Sequence, residues 1–184
     1  MGRKPVLEGG KRDEIITAAL ALFFEKGYEG TSVRMIQKRV GSEIGLFYYY
    51  FKSKDEVFDI AINKYMERYH DLYRSFIDKN KDKPENLLIS FFGTVKDAVS
   101  NFRSTNADNL HWSVRRAIRE QGLEMLCPYV EECLNTMIEN GIKLPDVSVK
   151  GLAVVLAYGI GGTIIQHKEE ITIEEMELIL NSLI

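Results

Sequence analysis

Between residues 31 and 54 the chain gathers hydroxyls, cations and flat rings: Thr31, Ser32, Arg34, Ser42, Gly45, Leu46, Tyr48, Tyr49, Tyr50 and Lys54. Hydroxyls and cations bind phosphate oxygens, and a phenol ring joins apolar area to a donor tip. Three consecutive tyrosines span about 200° of a helix, so one buried face cannot take them all. At least one ring must stand exposed, which is unusual without a partner. Nothing beside them looks catalytic. There is no Ser/His/Asp or Cys/His arrangement with a recognisable local signature, and no carboxylate pair in a metal motif. His70, His111 and His167 are scattered without metal spacing. The residues therefore point away from an enzyme, with no cofactor and no metal expected.

The elements around these residues read as helices. Ile15, Ala18, Ala19, Leu22 and Phe23 repeat at three- and four-residue spacing, predicting a helix over about Lys11–Lys26 that ends at Gly27. Thr31 or Ser32 starts a second helix with Val33, Ile36 and Val40 inside, and Gly41 breaks it. Ser42 is the expected cap of a third helix holding Ile44, Phe47, Tyr48 and Phe51. Ser53 caps a long fourth, with Asp55 and Glu56 in its first turn. Further helices are predicted at about Glu85–Phe102, Leu110–Glu120, Glu124–Asn140, Val147–His167 and Thr172–Leu183, the break between the second and third of these resting on Gly122. No alternating strand pattern and no repeat appears. The fold class is all-α, with about nine helices.

Charge is uneven along the chain. The net is −3, but residues 1–54 hold 10 Lys+Arg against 6 Asp+Glu, and residues 55–184 hold 14 against 21. A basic head on an acidic body can turn its head toward phosphate. Residues 1–10 read as a flexible basic arm carrying Arg3 and Lys4. Cys127 and Cys133 are too few for a disulfide framework and, about 240° apart on a helix, cannot share one face. The N-terminus lacks the apolar core of a signal peptide. Gly151–Gln166 is short and glycine-rich for a membrane span. A reduced, cytoplasmic protein off the membrane is the expectation.

The stretch from Thr31-Ser32-Val33-Arg34 to Tyr48-Tyr49-Tyr50-Phe51-Lys52-Ser53-Lys54 resembles the helix-turn-helix DNA-binding domain of the TetR family of transcriptional regulators. The likeness covers residues 11–58, and Tyr48, Phe51 and Lys54 are its most specific part. The resemblance implies that Ser32 caps the second helix and touches phosphate, and that Arg34 reaches phosphate or a base edge. Gly45 and Leu46 would stand at the groove, Tyr49 would contact a base or phosphate, Tyr48 and Tyr50 would bond phosphates, and Lys54 would pin the DNA backbone. The chain departs from the family pattern at Gln37, where alanine is usual, at Ser42-Glu43 in place of valine–serine, and at Ile44 and Leu46 in place of lysine and threonine.

The resemblance further implies an N-terminal three-helix DNA-binding domain over 1–52 and a helical effector-binding and dimerisation domain over 53–184. The implied function is a ligand-responsive regulator, a repressor released from a near-palindromic double-stranded operator by a small molecule. Its homodimer would form through the last two helices. Candidate effector-binding residues are Met66, Tyr69, Phe91, Phe92, Val95, Trp112, Met125 and Tyr129. An activator of the same fold, or a helical small-molecule-binding protein or enzyme with no DNA role, are the competing readings. Arg115, Arg116 and Arg119 read as solvated or paired, with an anion clamp as the alternative. Gly159–Gly162 lacks a preceding strand and reads as close helix packing rather than a nucleotide loop.

Overall fold

The computed structural model describes residues 10–106, 110–166 and 171–183. The basic arm at residues 1–9 and His167 lie outside the described residues. The helices are α1 (Lys11–Lys26), α2 (Val33–Val40), α3 (Ile44–Tyr50), α4 (Lys54–Asn80), α5 (Leu87–Asn106), α6 (Trp112–Glu139), α7 (Val149–Leu156), α8 (Gly162–Gln166) and α9 (Ile173–Leu183). A 3₁₀ turn at Pro84–Asn86 leads into α5, and a π-helical turn at Ala157–Gly161 joins α7 to α8. The described residues contain no strand. The architecture is all-α, as the helical periodicity implies.

The chain divides into two compact units, Met1–Glu67 with Asn106–Ile118, and Arg68–Thr105 with Arg119–Ile184. The division between these units falls within α4, and the first turns of α6 belong to the first unit.

In the first unit the buried core gathers Ile15, Ile16, Ala19 and Phe23 of α1, Ile36 of α2, Phe47 of α3 and Val57, Ala61 and Ile62 of α4. Each short helix has a defined stop. Gly27, at φ 75°, ends α1 and donates its N–H to Phe23 O at 2.8 Å. Gly41, at φ 68°, ends α2 in the left-handed conformation that glycine adopts without a Cβ penalty. Ser32 Oγ caps α2 by accepting the Met35 N–H at 3.2 Å. Ser53 Oγ accepts the Glu56 N–H at 3.1 Å to open α4.

In the second unit the core gathers Tyr73 and Ile77 of α4, Phe91, Phe92 and Val95 of α5, and Leu126, Val130, Cys133 and Leu134 of α6. Ala157, Ile160 and Ile164 are buried from the following run. Gly161 allows close approach there, because a Cβ would lie 2.6 Å from Leu126 Cδ1. Cys127 is half-buried and Cys133 is buried, which pushes the Cys133 thiol up to about 12.

Two sequence expectations are corrected. The break at Gly122 does not occur, and α6 runs unbroken from Trp112 to Glu139. Gly122 is buried, and tertiary packing outweighs the roughly 1 kcal/mol helical penalty of glycine. Pro128 also lies within α6, at an exposed position where the carbonyl it leaves unbonded can meet water. The second correction concerns α3, whose N-cap is Glu43 rather than Ser42. By length and composition Val149–Gln166 is apolar enough to cross a membrane, with mean hydropathy 1.5, yet 39% of it is buried within the protein.

Candidate nucleic-acid interface

Phe47 and Phe51 anchor the recognition segment. Both are buried, with centroids 5.4 Å apart, and the Arg12 guanidinium lies 5.3 Å from the Phe51 ring. That anchoring fixes which side of α3 faces outward. Tyr48 is 59% exposed and Tyr49 is 53% exposed, while Tyr50 is half-buried and meets Tyr49 edge-on at 5.0 Å. Glu43, Ile44 and Gly45 are exposed and Leu46 is half-buried. A Cβ built on Gly45 meets nothing within 4 Å, so the fold does not require glycine there. The room it leaves is on the outside.

On α2, Ser32 and Arg34 are exposed, with Lys38 one turn beyond Arg34. Arg39 is committed elsewhere. It grips Glu25 of α1 through two bonds of 2.9 Å and holds that carboxyl below its usual range. The outward surface of the first unit therefore combines hydroxyls, two cations, exposed phenols and an open backbone position, with Glu43 as its acidic member.

Thr31 does not belong to this surface. It is 1% exposed and its hydroxyl donates to Gly27 O at 2.8 Å, closing the turn between α1 and α2. Ser42 is half-buried, and its hydroxyl donates to Gln37 Oε1 instead of capping α3. Lys54 is half-buried as well. Its ammonium donates to Tyr28 O at 2.7 Å and Thr31 O at 3.0 Å, and lies 3.8 Å from the centre of the Tyr28 ring. The Tyr28 hydroxyl donates to Asp55 Oδ1, and that bond raises the phenol to about 12.

The same turn is held by residues that no local pattern announces. The His111 N–H donates to Phe24 O at 3.1 Å, and the Tyr28 N–H donates to Ser113 Oγ at 3.3 Å, 85 positions along the chain. The His111 ring presses on Gly27, where a Cβ would lie 2.1 Å from Nδ1. The positive φ at Gly27 was legible as a helix stop. Its contact with His111 was not, because it depends on the tertiary path of α6.

The candidate effector residues are divided between the two units. Met66 and Trp112 belong to the first unit, and Trp112 is 64% exposed, which removes it as a wall of an enclosed pocket. Tyr69, Phe91, Phe92, Val95, Met125 and Tyr129 belong to the second unit. There the Phe91 ring centre lies 5.3 to 6.3 Å from those of Phe92, Tyr73 and Tyr129 in a buried aromatic cluster. A shallow cleft in this unit is lined by Lys96, Val99, Ser100, Arg103, Ile164 and Ile171. Lys96 and Arg103 both donate to backbone carbonyls at its rim, those of Ile171 and Ile164. Among the described residues no group of three His, Cys, Asp or Glu is placed to hold a metal ion.

A short helix anchored by two buried phenylalanines, turned outward by its tyrosines and set behind a capped α2, is a helix-turn-helix head. Residues 15–60 match the family model described as bacterial regulatory proteins, tetR family. Over those residues the chain is similar to the DNA-binding domain of that family of transcriptional regulators.

The HTH-type transcriptional repressor KstR2 of Mycobacterium tuberculosis is 26% identical over 145 residues, covering 76% of this chain and 72% of KstR2. Among solved structures, a putative transcriptional regulator of Pseudomonas aeruginosa PAO1 superposes with a TM-score of 0.63 at 20% identity, covering 94% of this chain and 88% of that one. The Bacillus subtilis regulator FadR, solved with stearoyl-CoA, superposes with a TM-score of 0.54 at 22% identity, covering 94% and 89%. At these identities the two structures speak for the fold.

Proposed function

We propose that this regulator is a cytoplasmic, non-enzymatic repressor that binds a near-palindromic operator as a homodimer and leaves it when a small molecule binds. The observation that carries the reading is the outward pair Tyr48 and Tyr49, more than half exposed on a helix whose other face is locked by Phe47 and Phe51. Tyr49, Gly45 and Leu46 face the groove, while Ser32, Arg34, Tyr48 and Tyr50 meet phosphates. Lys54 holds the turn from beneath.

One recognition helix contacts few bases, so two are needed, roughly 34–36 Å apart on successive turns of DNA. Val154, Val155 and Tyr158 on the α7 run, and Ile173, Leu178 and Ile179 on α9, are exposed apolar side chains that suit a surface shared by two copies. FadR's complex with stearoyl-CoA supports a ligand-responsive reading. A ligand acts only through unequal affinity for the DNA-competent and released states. Because α4 and α6 each contribute residues to both compact units, they are the segments through which that difference would travel.

Selection of bound sequences from random duplex DNA tests the reading. Enrichment of an inverted repeat supports it, and Tyr49→Ala should abolish the enrichment. Failure of the intact protein to enrich any sequence contradicts it.

A further inference from the structure

Gln37 is a polar side chain where the fold does not need one. It lies on the inner face of α2 and is 1% exposed. Its Oε1 accepts the Ser42 hydroxyl proton, and its backbone carbonyl accepts the Ser42 N–H at 3.0 Å. Its Nε2 is buried with no hydrogen-bond partner. Exchanging the amide oxygen and nitrogen leaves the same account, with one end on Ser42 and the other orphaned. A buried orphan of this kind is a standing cost, and an apolar side chain of equal length would remove it. Stability does not explain the residue.

Its geometry does. Both donors of Ser42 are tied to this one residue of α2. Ser42 runs directly into Glu43, the N-cap of α3, and then into Ile44 and Gly45. The cap makes no side-chain hydrogen bond of its own, and all three residues are exposed. The pose of the outward first turn of α3 therefore follows the pose of Ser42, with Gly41 as the pivot before it.

We propose that Gln37 is a positioning residue for the recognition helix, setting through Ser42 which base edges the first turn of α3 meets. The inference rests on the DNA-binding reading above.

The test uses the full chain, the duplex enriched by the unaltered protein and a scrambled duplex of equal length. Gln37→Met keeps the length and deletes both the bond and the orphan, Ser42→Ala deletes the hydroxyl, and Ser42→Thr retains it. Gln37→Met and Ser42→Ala should each lower the enriched-to-scrambled affinity ratio about tenfold, a loss the size of one base contact. The double variant should be no worse than either single change, because the two delete the same bond. Ser42→Thr should keep most of the ratio, and affinity for the scrambled duplex should hold throughout. The melting midpoint of Gln37→Met should stay level or rise. A ratio within about twofold of the unaltered protein in both deletions would overturn the proposal on the same scale. So would a parallel fall in affinity for both duplexes that tracks a lowered midpoint, which a merely structural role would give. If the unaltered protein enriches no sequence, the DNA-binding reading fails first and this inference falls with it.

Discussion

Replacing Lys54 by methionine separates two roles for one residue. The family resemblance assigns Lys54 to the DNA backbone, whereas the structure places its ammonium on Tyr28 O and Thr31 O and above the Tyr28 ring. Methionine keeps the apolar stem and removes the charge. A hydrogen bond from a charged donor contributes roughly 1.5–3 kcal/mol, and a cation–π contact at a partly exposed site about 0.5–1 kcal/mol. The three interactions share one half-buried ammonium and are not additive, so the expected loss is about 3 kcal/mol. For a chain of this size that is roughly 6–12 °C in the midpoint. The single tryptophan, Trp112, belongs to the same compact unit and reports its melting by fluorescence. The same variant should be titrated on DNA at several salt concentrations. An unchanged midpoint, with a salt slope lower by about 0.9, would make Lys54 a phosphate ligand and refute the clamp.

Tyr28 gives a pH dependence at the same turn. Its hydrogen bond to Asp55 raises the phenol from 10.0 to about 12, so the folded state keeps the proton longer than the unfolded chain. The stabilisation is complete below pH 10.0 and is lost as pH rises toward about 12, and Tyr28→Phe should remove one late-ionising phenol from the tyrosinate absorbance titration. Gly27→Ala should destabilise the first unit by at least about 2 kcal/mol in a urea melt, since φ is 75° and the new Cβ would meet the His111 ring. Adding His111→Ala should relieve the clash and leave the backbone strain, so partial recovery is expected. Val155→Glu and Leu178→Glu, at positions 62% and 70% exposed, should leave helicity unchanged and weaken self-association by at least about 100-fold in sedimentation. Unchanged association would remove this face as the dimer surface.

The apolar periodicity carried most of the fold. Ile15 to Phe23, Ile36, Phe47 and Phe51 are buried where their spacing puts them, and the glycines at 27 and 41 stop helices as their φ values allow. The reading failed where packing overrode a local signal. Gly122 reads as a break, yet its burial carries α6 through it. Ser42 reads as a cap, yet its hydroxyl turns to Gln37.

At the candidate interface, the arithmetic of three adjacent rings on one helix requires at least one exposed tyrosine, and the structure exposes two, Tyr48 and Tyr49. Burial of Thr31 does not follow from spacing, because it depends on a carbonyl four residues back and an ammonium 23 residues on. Of the candidate effector residues, Phe91, Phe92 and Tyr129 lie ring against ring, a contact that depends on tertiary neighbours rather than on local spacing.

In the proposed function two copies of this head read one symmetric site. The most direct measurement is the stoichiometry of the intact chain on the duplex it enriches, by sedimentation at a protein concentration well above the dissociation constant. Two chains per duplex are predicted, with half-sites about 10–10.5 base pairs apart centre to centre and both copies lost when either half-site is scrambled. One chain per duplex, or full binding to a lone half-site, would contradict it.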